Sequence, residues 1–413
     1  MPWKETGAVE QRLEFIREVV RGHLDKAELC RRYGISRPTG DKWLERFLER
    51  GLEGLHDLPS CPGHHTNQVA DELAEMILAL RRAHMTWGPK KLKAYLEREH
   101  PAMKWPWPST MGDLLRHHGL AVGRVRRRRT PAYTQPFAGC GEANTTWCGD
   151  FKGQFYTGNG RVCYPLTITD AFSRYLLRCQ GMPRPRTMPA QAVFESAFRE
   201  YGMPLAIRSD NGSPFASGAI GGLSRLSLWW LKLGIVPERI DPGHPEQNGR
   251  HERMHQTLKK ETASPPQSSL RRQQQRFDAF RKEYNEQRPH EALEQHTPAE
   301  AYQASPRAYP SRLPEPEYGP NALVRSVRHS GEIKWQGRRM HLGEVLVGER
   351  VGLEPISDGY WLLCCYKMAL GVLDDRRRKV WDLEAARRKR LVSAAAVPSP
   401  LSGVPGPGPS VET

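Results

Sequence analysis

The chain lacks any run of the about 18 consecutive apolar residues that a bilayer-spanning helix needs. Residues 1–15 also lack the apolar centre of a secretory leader, so a soluble, cytoplasmic protein is expected. Cysteine is sparse. The eight cysteines, Cys30, Cys61, Cys140, Cys148, Cys163, Cys179, Cys364 and Cys365, include no C-x-x-C pair. That scatter fits reduced thiols buried as small hydrophobes, not a disulfide frame or a zinc ribbon. Acid is the scarcer charge, 46 Asp and Glu against 62 Lys and Arg, and the formal net charge of +16 points to a polyanionic partner. Charge alone does not choose between DNA, RNA and a membrane surface. There is no internal repeat, and 413 residues leave room for several domains.

Residues 10–51 place apolar side chains at helical spacing in three short runs. Between the second and third, Gly34 offers a tight turn and Ser36 a cap, the layout of a helix-turn-helix. The third helix would carry Arg37, Thr39 and Lys42 on its early turns, where such a helix enters the major groove. Residues 69–83 and 88–99 form a second amphipathic pair, and Pro108-Ser109-Thr110 opens a further helix with a proline and a hydroxyl cap. A plain three-helix bundle gives the same pattern. The run containing Arg124, Arg126, Arg127, Arg128 and Arg129 is too charge-dense for a core; it suits a phosphate backbone or a solvated linker.

From 144 to 302 strands alternate with helices. Segments 147–156, 163–169 and 175–180 read as a meander, followed by a helix at 188–201, a strand at 205–209, a helix at 223–233, a strand at 235–240 and a polar helix at 246–261. This predicts an α/β fold with a mixed sheet and helices on both faces. A proline-rich break precedes short apolar runs that suggest a small β-barrel, and the Pro/Gly/Ser-rich end should be disordered. The resulting division is 1–60 and 66–120 helix-turn-helix, 121–143 basic linker, 144–305 α/β core, 321–382 barrel and 383–413 tail.

Three acids stand out. Asp150 interrupts a strand, Asp210 closes a short apolar strand, and Glu246 follows the rigid turn Pro242-Gly243-His244-Pro245. Each alone has an ordinary explanation: an edge-strand acid, an Asp-Asn-Gly turn, and a carboxylate at a helix start. Together, two or three acids converging from separate elements are what hard divalent cations need for phosphodiester chemistry. Asp170 and Glu252 compete with them; Asp170 is read as capping a turn or pairing with Arg174, and Glu252 as pairing with a neighbouring base.

The interval between Asp210 and Glu246 holds 35 residues, and around it stand Arg208-Ser209-Asp210-Asn211-Gly212, Gln247-Asn248-Gly249, His251-Glu252-Arg253, Tyr284-Asn285 and Arg288-Pro289-His290. Here the chain resembles bacterial insertion-sequence transposases of the DDE type, with the ribonuclease-H-like core of the retroviral integrase superfamily. The resemblance implies that Asp150, Asp210 and Glu246 hold two Mg²⁺ or Mn²⁺ ions, that water frees a 3′-hydroxyl, and that this hydroxyl attacks target DNA in line. It also implies double-stranded DNA partners (transposon inverted repeats and target), a homo-oligomer on DNA, and a bacterial, nucleoid-associated setting. Lys152, Gln247, Asn248, Arg250, Arg253, His255 and Lys259 could then hold the DNA backbone. Unlike retroviral integrases, the chain has no zinc module: Cys61, His64 and His65 lack a second ligand pair. A DNA-binding regulator derived from a transposase and a structure-selective nuclease are the alternatives.

Overall fold

A computed structural model describes residues 7–57, 69–121, 140–240 and 249–392. The chain forms two compact units, Met1–Ala70 and Asp71–Thr413. In the first, α1 (Ala8–Arg21), α2 (Lys26–Arg32) and α3 (Arg37–Arg50) enclose Phe15, Ile16, Leu29, Cys30 and Trp43. Gly34 takes φ +64° in the turn, and the Ser36 hydroxyl accepts from Thr39 N at 3.4 Å, so the helix-turn-helix punctuation is as read. Arg37 and Lys42 are exposed. Thr39 is not presented outward: it is half-buried and its hydroxyl lies 2.8 Å from Ser36 Oγ.

The second unit begins with α4 (Asp71–Ala83), α5 (Pro89–Glu99) and α6 (Pro108–His117), packed around Ile77, Trp87, Leu92 and Met111. Pro108 starts α6 as expected, but Trp107 holds the cap position and no side chain caps the helix. The trio is joined to the core by polar contacts: His84 Nδ1 lies 2.8 Å from Glu283 Oε1, and Arg288 donates to Glu261 at 2.7 Å and to Thr86 Oγ1 at 3.2 Å.

The core is a mixed sheet of β1 (Thr146–Phe151), β2 (Phe155–Tyr156), β3 (Val162–Asp170), β4 (Leu176–Met182), β5 (Ala206–Ser209) and β6 (Val236–Arg239). β3 pairs antiparallel with β1, β2 and β4; β1 pairs parallel with β5, and β5 with β6. The first segment of the meander is therefore two strands, broken at 152–154. On one face α7 (Thr187–Tyr201) and α8 (Arg225–Lys232) bury Phe194, Phe198, Trp229 and Trp230 against Trp147, Ile168 and Ile207. On the other, α9 (Gly249–Thr262) and α10 (Leu270–Glu286) bury Met254, Leu258, Phe277 and Phe280 against Cys163 and Leu176. The sequence reading missed α10. The short α11 (Pro298–Ala301) follows it.

The C-terminal region read as a small β-barrel is an antiparallel sheet in the order β13-β12-β11-β10-β7, with a hairpin of β8 and β9 whose Ile333, Trp335 and Met340 share its core. These strands are β7 (Leu323–Ser326), β8 (Glu332–Trp335), β9 (Arg338–His341), β10 (Arg350–Ser357), β11 (Tyr360–Cys365), β12 (Met368–Asp374) and β13 (Lys379–Asp382). Residues 383–388, assigned to the tail, instead form α12 (Leu383–Arg388): Asp382 caps it at 2.7 Å and Ala386 is buried against Val372. The described cysteines are free thiols, and all but the half-buried Cys140 are buried. Among the described residues, no helix is long and apolar enough to cross a membrane.

Candidate active site

Asp150 sits near the end of β1, where the parallel register sets Gly149 beside Ser209 of β5. The residues that follow are Asp150, next to last in β1, and Asp210, the first beyond β5, so the two acids sit at the carboxyl ends of neighbouring strands, where open α/β sheets form sites. Local sequence enforces this. A Cβ on Gly149 would stand 2.8 Å from Phe194 Cζ, so this position admits the ring only as glycine. Beyond β5, Gly212 N donates to Asp210 Oδ1 at 3.1 Å and Asn211 Nδ2 donates to Ile240 O at 2.9 Å, which holds the turn against the end of β6.

Burial and then the charge of Asp210 raise the Asp150 carboxyl from 3.8 to about 7; Lys152 opposes the shift and Glu252 adds to it. The mutual repulsion and the oxygen-only pair fit a hard cation, which would relieve both effects. A measurable consequence concerns stability. With a folded value near 7 and an unfolded value near 3.8, the folded state keeps a proton that the unfolded chain has lost. Metal-free stability therefore falls as pH rises across that window and is level above it. Asp150→Asn is expected to melt close to wild type at pH 5 and several degrees above it at pH 8 in EDTA. A variant that melts lower at pH 8 would contradict the assignment.

Two histidines join the acids. His251 and His255, one turn apart on α9, are buried, and His255 Nδ1 lies 3.8 Å from Asp150 Oδ2. Among the described residues, ligand atoms of Asp150, His251 and His255 fall within 4.8 Å of one another. Burial pushes His251 down to about 3 and His255 well below its usual range, with His251 and Lys152 adding to the latter, so both rings are neutral. This corrects the placing of His255 on the DNA backbone. Its spacing with His251, Met254 and Leu258 marks one inward helical face, a signal present in the sequence but assigned to solvent.

Of the other expected residues, Lys152 is half-buried beside Asp150, while Arg253 and Lys259 are exposed on α9. Arg253 acts electrostatically on Lys91 and Glu291. Glu246, Gln247, Asn248, Arg126 to Arg129 and Cys61 lie outside the described residues, as does the side chain of Arg250. Asp170 caps its turn as read: it is buried and accepts from Asn144 N, Ser173 N and Ser173 Oγ at 2.7–2.8 Å. Asn285 is structural too, bonded through its amide to both backbone atoms of Leu176.

A mixed sheet of this order, with paired acids at the ends of its central parallel strands, defines a ribonuclease-H-like, integrase-type core. Integrase core domain families match residues 141–245 and 233–298. A helix-turn-helix domain matches 11–63, a homeodomain-like domain 39–115, and the C-terminal domain of IS481 family transposases 322–381. The chain is 29% identical over 289 residues to an uncharacterized 31.7 kDa protein of insertion element IS407 from Burkholderia multivorans, covering 69% of this chain and 92% of that one. An insertion element IS136 protein of Agrobacterium fabrum is 30% identical over 176 residues, 39% of this chain and 84% of its own length. Among solved structures, a simian T-cell lymphotropic virus intasome in complex with the PP2A regulatory subunit B56 gamma is 17% identical with a TM-score of 0.36, covering 70% of this chain and 91% of that one. The chain belongs to the bacterial insertion-sequence transposases with an integrase-type core.

Proposed function

We propose that the protein binds the ends of its element, cleaves DNA to free 3′-hydroxyls and joins these to target DNA. The observation that carries this reading is the placement of Asp150 and Asp210 at adjacent strand ends, with the charge of Asp210 acting on a half-buried Asp150. These two side chains would hold Mg²⁺ or Mn²⁺, as two ions in the full site. When bound, such ions activate the attacking oxygen and neutralise charge on the leaving one. The chain itself fixes the acids on a rigid sheet and sets Lys152 beside them as a cation for DNA. Arg37 and Lys42 on α3, Arg253 and Lys259 on α9, and Asn248, Arg250 and the Arg126 to Arg129 run are the proposed DNA contacts, in a cytoplasmic homo-oligomer that holds two ends.

The third acid comes from the start of α9 or just before it. The 35-residue interval favours Glu246. Electrostatics favour Glu252: it lies in the first turn of α9, adjacent in sequence to His251, and its charge acts on Asp150. We assign the third position to Glu252, reversing its reading as the partner of a neighbouring base. Strand joining of labelled end DNA should fall about a hundredfold or more in Glu252→Gln, since loss of one charge-neutralising group costs several kcal/mol, and stay within about tenfold of wild type in Glu246→Gln. The opposite ranking returns the position to Glu246.

A further inference from the structure

The helical trio α4–α6 and the catalytic sheet keep separate apolar cores: the cluster around Ile77, Trp87, Leu92 and Met111 shares no buried residue with those under α7 and α8 or under α9 and α10. What joins them is polar. His84 Nδ1 lies 2.8 Å from Glu283 Oε1, the Thr86 hydroxyl donates to Glu261, Lys90 Nζ lies 2.9 Å from Glu291 Oε1, and Arg98 donates to Gln287 O at 3.2 Å. The acids stand on the core side, and the imidazole, hydroxyl and cations on the trio side, so the two surfaces are complementary. At the centre Arg288, 6% exposed, donates to both Glu261 and Thr86. Desolvated pairs of this kind add little stability but are exacting in geometry, because a shifted partner leaves a buried charge unpaired. The seam also fixes direction. Lys90 and Arg98 lie about 12 Å apart along α5, so that helix is held near both ends. On the core side α9 carries both His255, whose Nδ1 is 3.8 Å from Asp150 Oδ2, and Glu261 of the seam, so one helix runs from the acids to the trio. None of these contacts comes from α6, and its Ser109, Asp113, Arg116 and His117 are exposed. In a homeodomain-like trio this third helix is the one that enters the major groove.

We propose that this seam is a ruler: it holds α6 at a fixed offset from Asp150 and Asp210, so that the tract α6 reads in the element's end determines which phosphodiester is cut. His84, Thr86, Lys90 and Arg98 are positioning residues in this sense. The proposal rests on the reading of the chain as a transposase that cleaves and joins its own ends. A seam that only adds stability is the competing account.

The test compares joining of native end DNA by the full chain with joining of the same DNA carrying two base pairs inserted between the tract read by α6 and the terminus, a displacement of about 7 Å. Footprint protection that disappears in Arg116→Ala locates that tract; a variant that loses none overturns the proposal at once. Wild type should join the native end about a hundredfold faster than the inserted one, since smaller misplacements cost that much. Combining His84→Phe, Thr86→Val and Lys90→Glu cuts the seam from the trio side, keeps a ring over Trp87 and leaves Arg288 paired with Glu261. This variant should bind native end DNA within about threefold of wild type, and its preference for the native end should shrink to about tenfold or less. A merely stabilising seam lowers both rates together and leaves their ratio unchanged; that result in a folded variant overturns the proposal. If the combined variant does not fold, Lys90→Glu decides, because its pair with Glu291 is exposed on both sides. It should lower the ratio about twofold, and Glu291→Lys in the same chain should restore it. An unmoved ratio, or one not restored, overturns the proposal. Wild type that joins both ends equally well removes the ruler alone, whereas wild type that joins neither removes the transposase reading on which it rests.

Discussion

Asp210→Asn is expected to lower 3′-end cleavage and strand joining by about a thousandfold or more, with binding to the element's end DNA unchanged. The size follows from the chemistry. Charge stabilisation at a phosphoryl oxygen is worth several kcal/mol, and each ~1.4 kcal/mol is a factor of ten in rate. Binding is spared because the proposed base- and phosphate-reading groups lie on α3, α9 and the basic run, whereas Asp210 is held in its own turn by Gly212 N. A gel assay with 3′-labelled end DNA and a parallel binding titration measure both. Joining within tenfold of wild type by a variant that still binds would remove Asp210 from the chemistry.

The second large effect concerns stability. Phe194 is fully buried between sheet and helices, with ring centroids 5.0 Å from Trp230, 6.1 Å from Phe198 and 6.5 Å from Phe215, and it lies over Gly149, the residue before Asp150. Truncation removes a large apolar surface and leaves a cavity that three aromatic rings cannot collapse into, so Phe194→Ala should cost about 3–5 kcal/mol. Chemical denaturation followed by tryptophan fluorescence reads this through Trp147 and Trp230. A loss below about 1 kcal/mol would mean the site relaxes, against the close packing described.

The alternation of elements in the core was legible because its strands are short, apolar and punctuated by glycine or proline, and because α7 and α8 carry dense apolar faces. What escaped was hidden by polar composition. α10 contains Arg271, Arg272, Gln273, Gln274 and Gln275, and its buried side carries the polar Gln273 and Asn285 beside Phe277, Phe280 and Tyr284. α12 was hidden in the same way by its basic residues, although Asp382 supplies a recognisable cap. In the site, Asp150 and Asp210 were visible as acids ending apolar strands. His251 and His255 were not, since histidine on a charged helix reads as solvent-facing until β3 supplies Thr167 and Thr169 opposite it. The interval used to choose Glu246 counts residues. It does not register where the segment after Asp210 runs in space, which includes a turn at Ile220–Gly222 packed on Leu370 and Gly371 of the C-terminal sheet.

The central claim is that this chain joins DNA ends in a cation-dependent reaction at Asp150 and Asp210. The most direct measurement incubates the full chain with its element's terminal DNA and a target plasmid, then sequences the junctions. The account predicts end DNA joined covalently through its 3′-hydroxyl to target in Mg²⁺ or Mn²⁺, and no product in EDTA; joining that persists in EDTA, or cutting without joining, would contradict it.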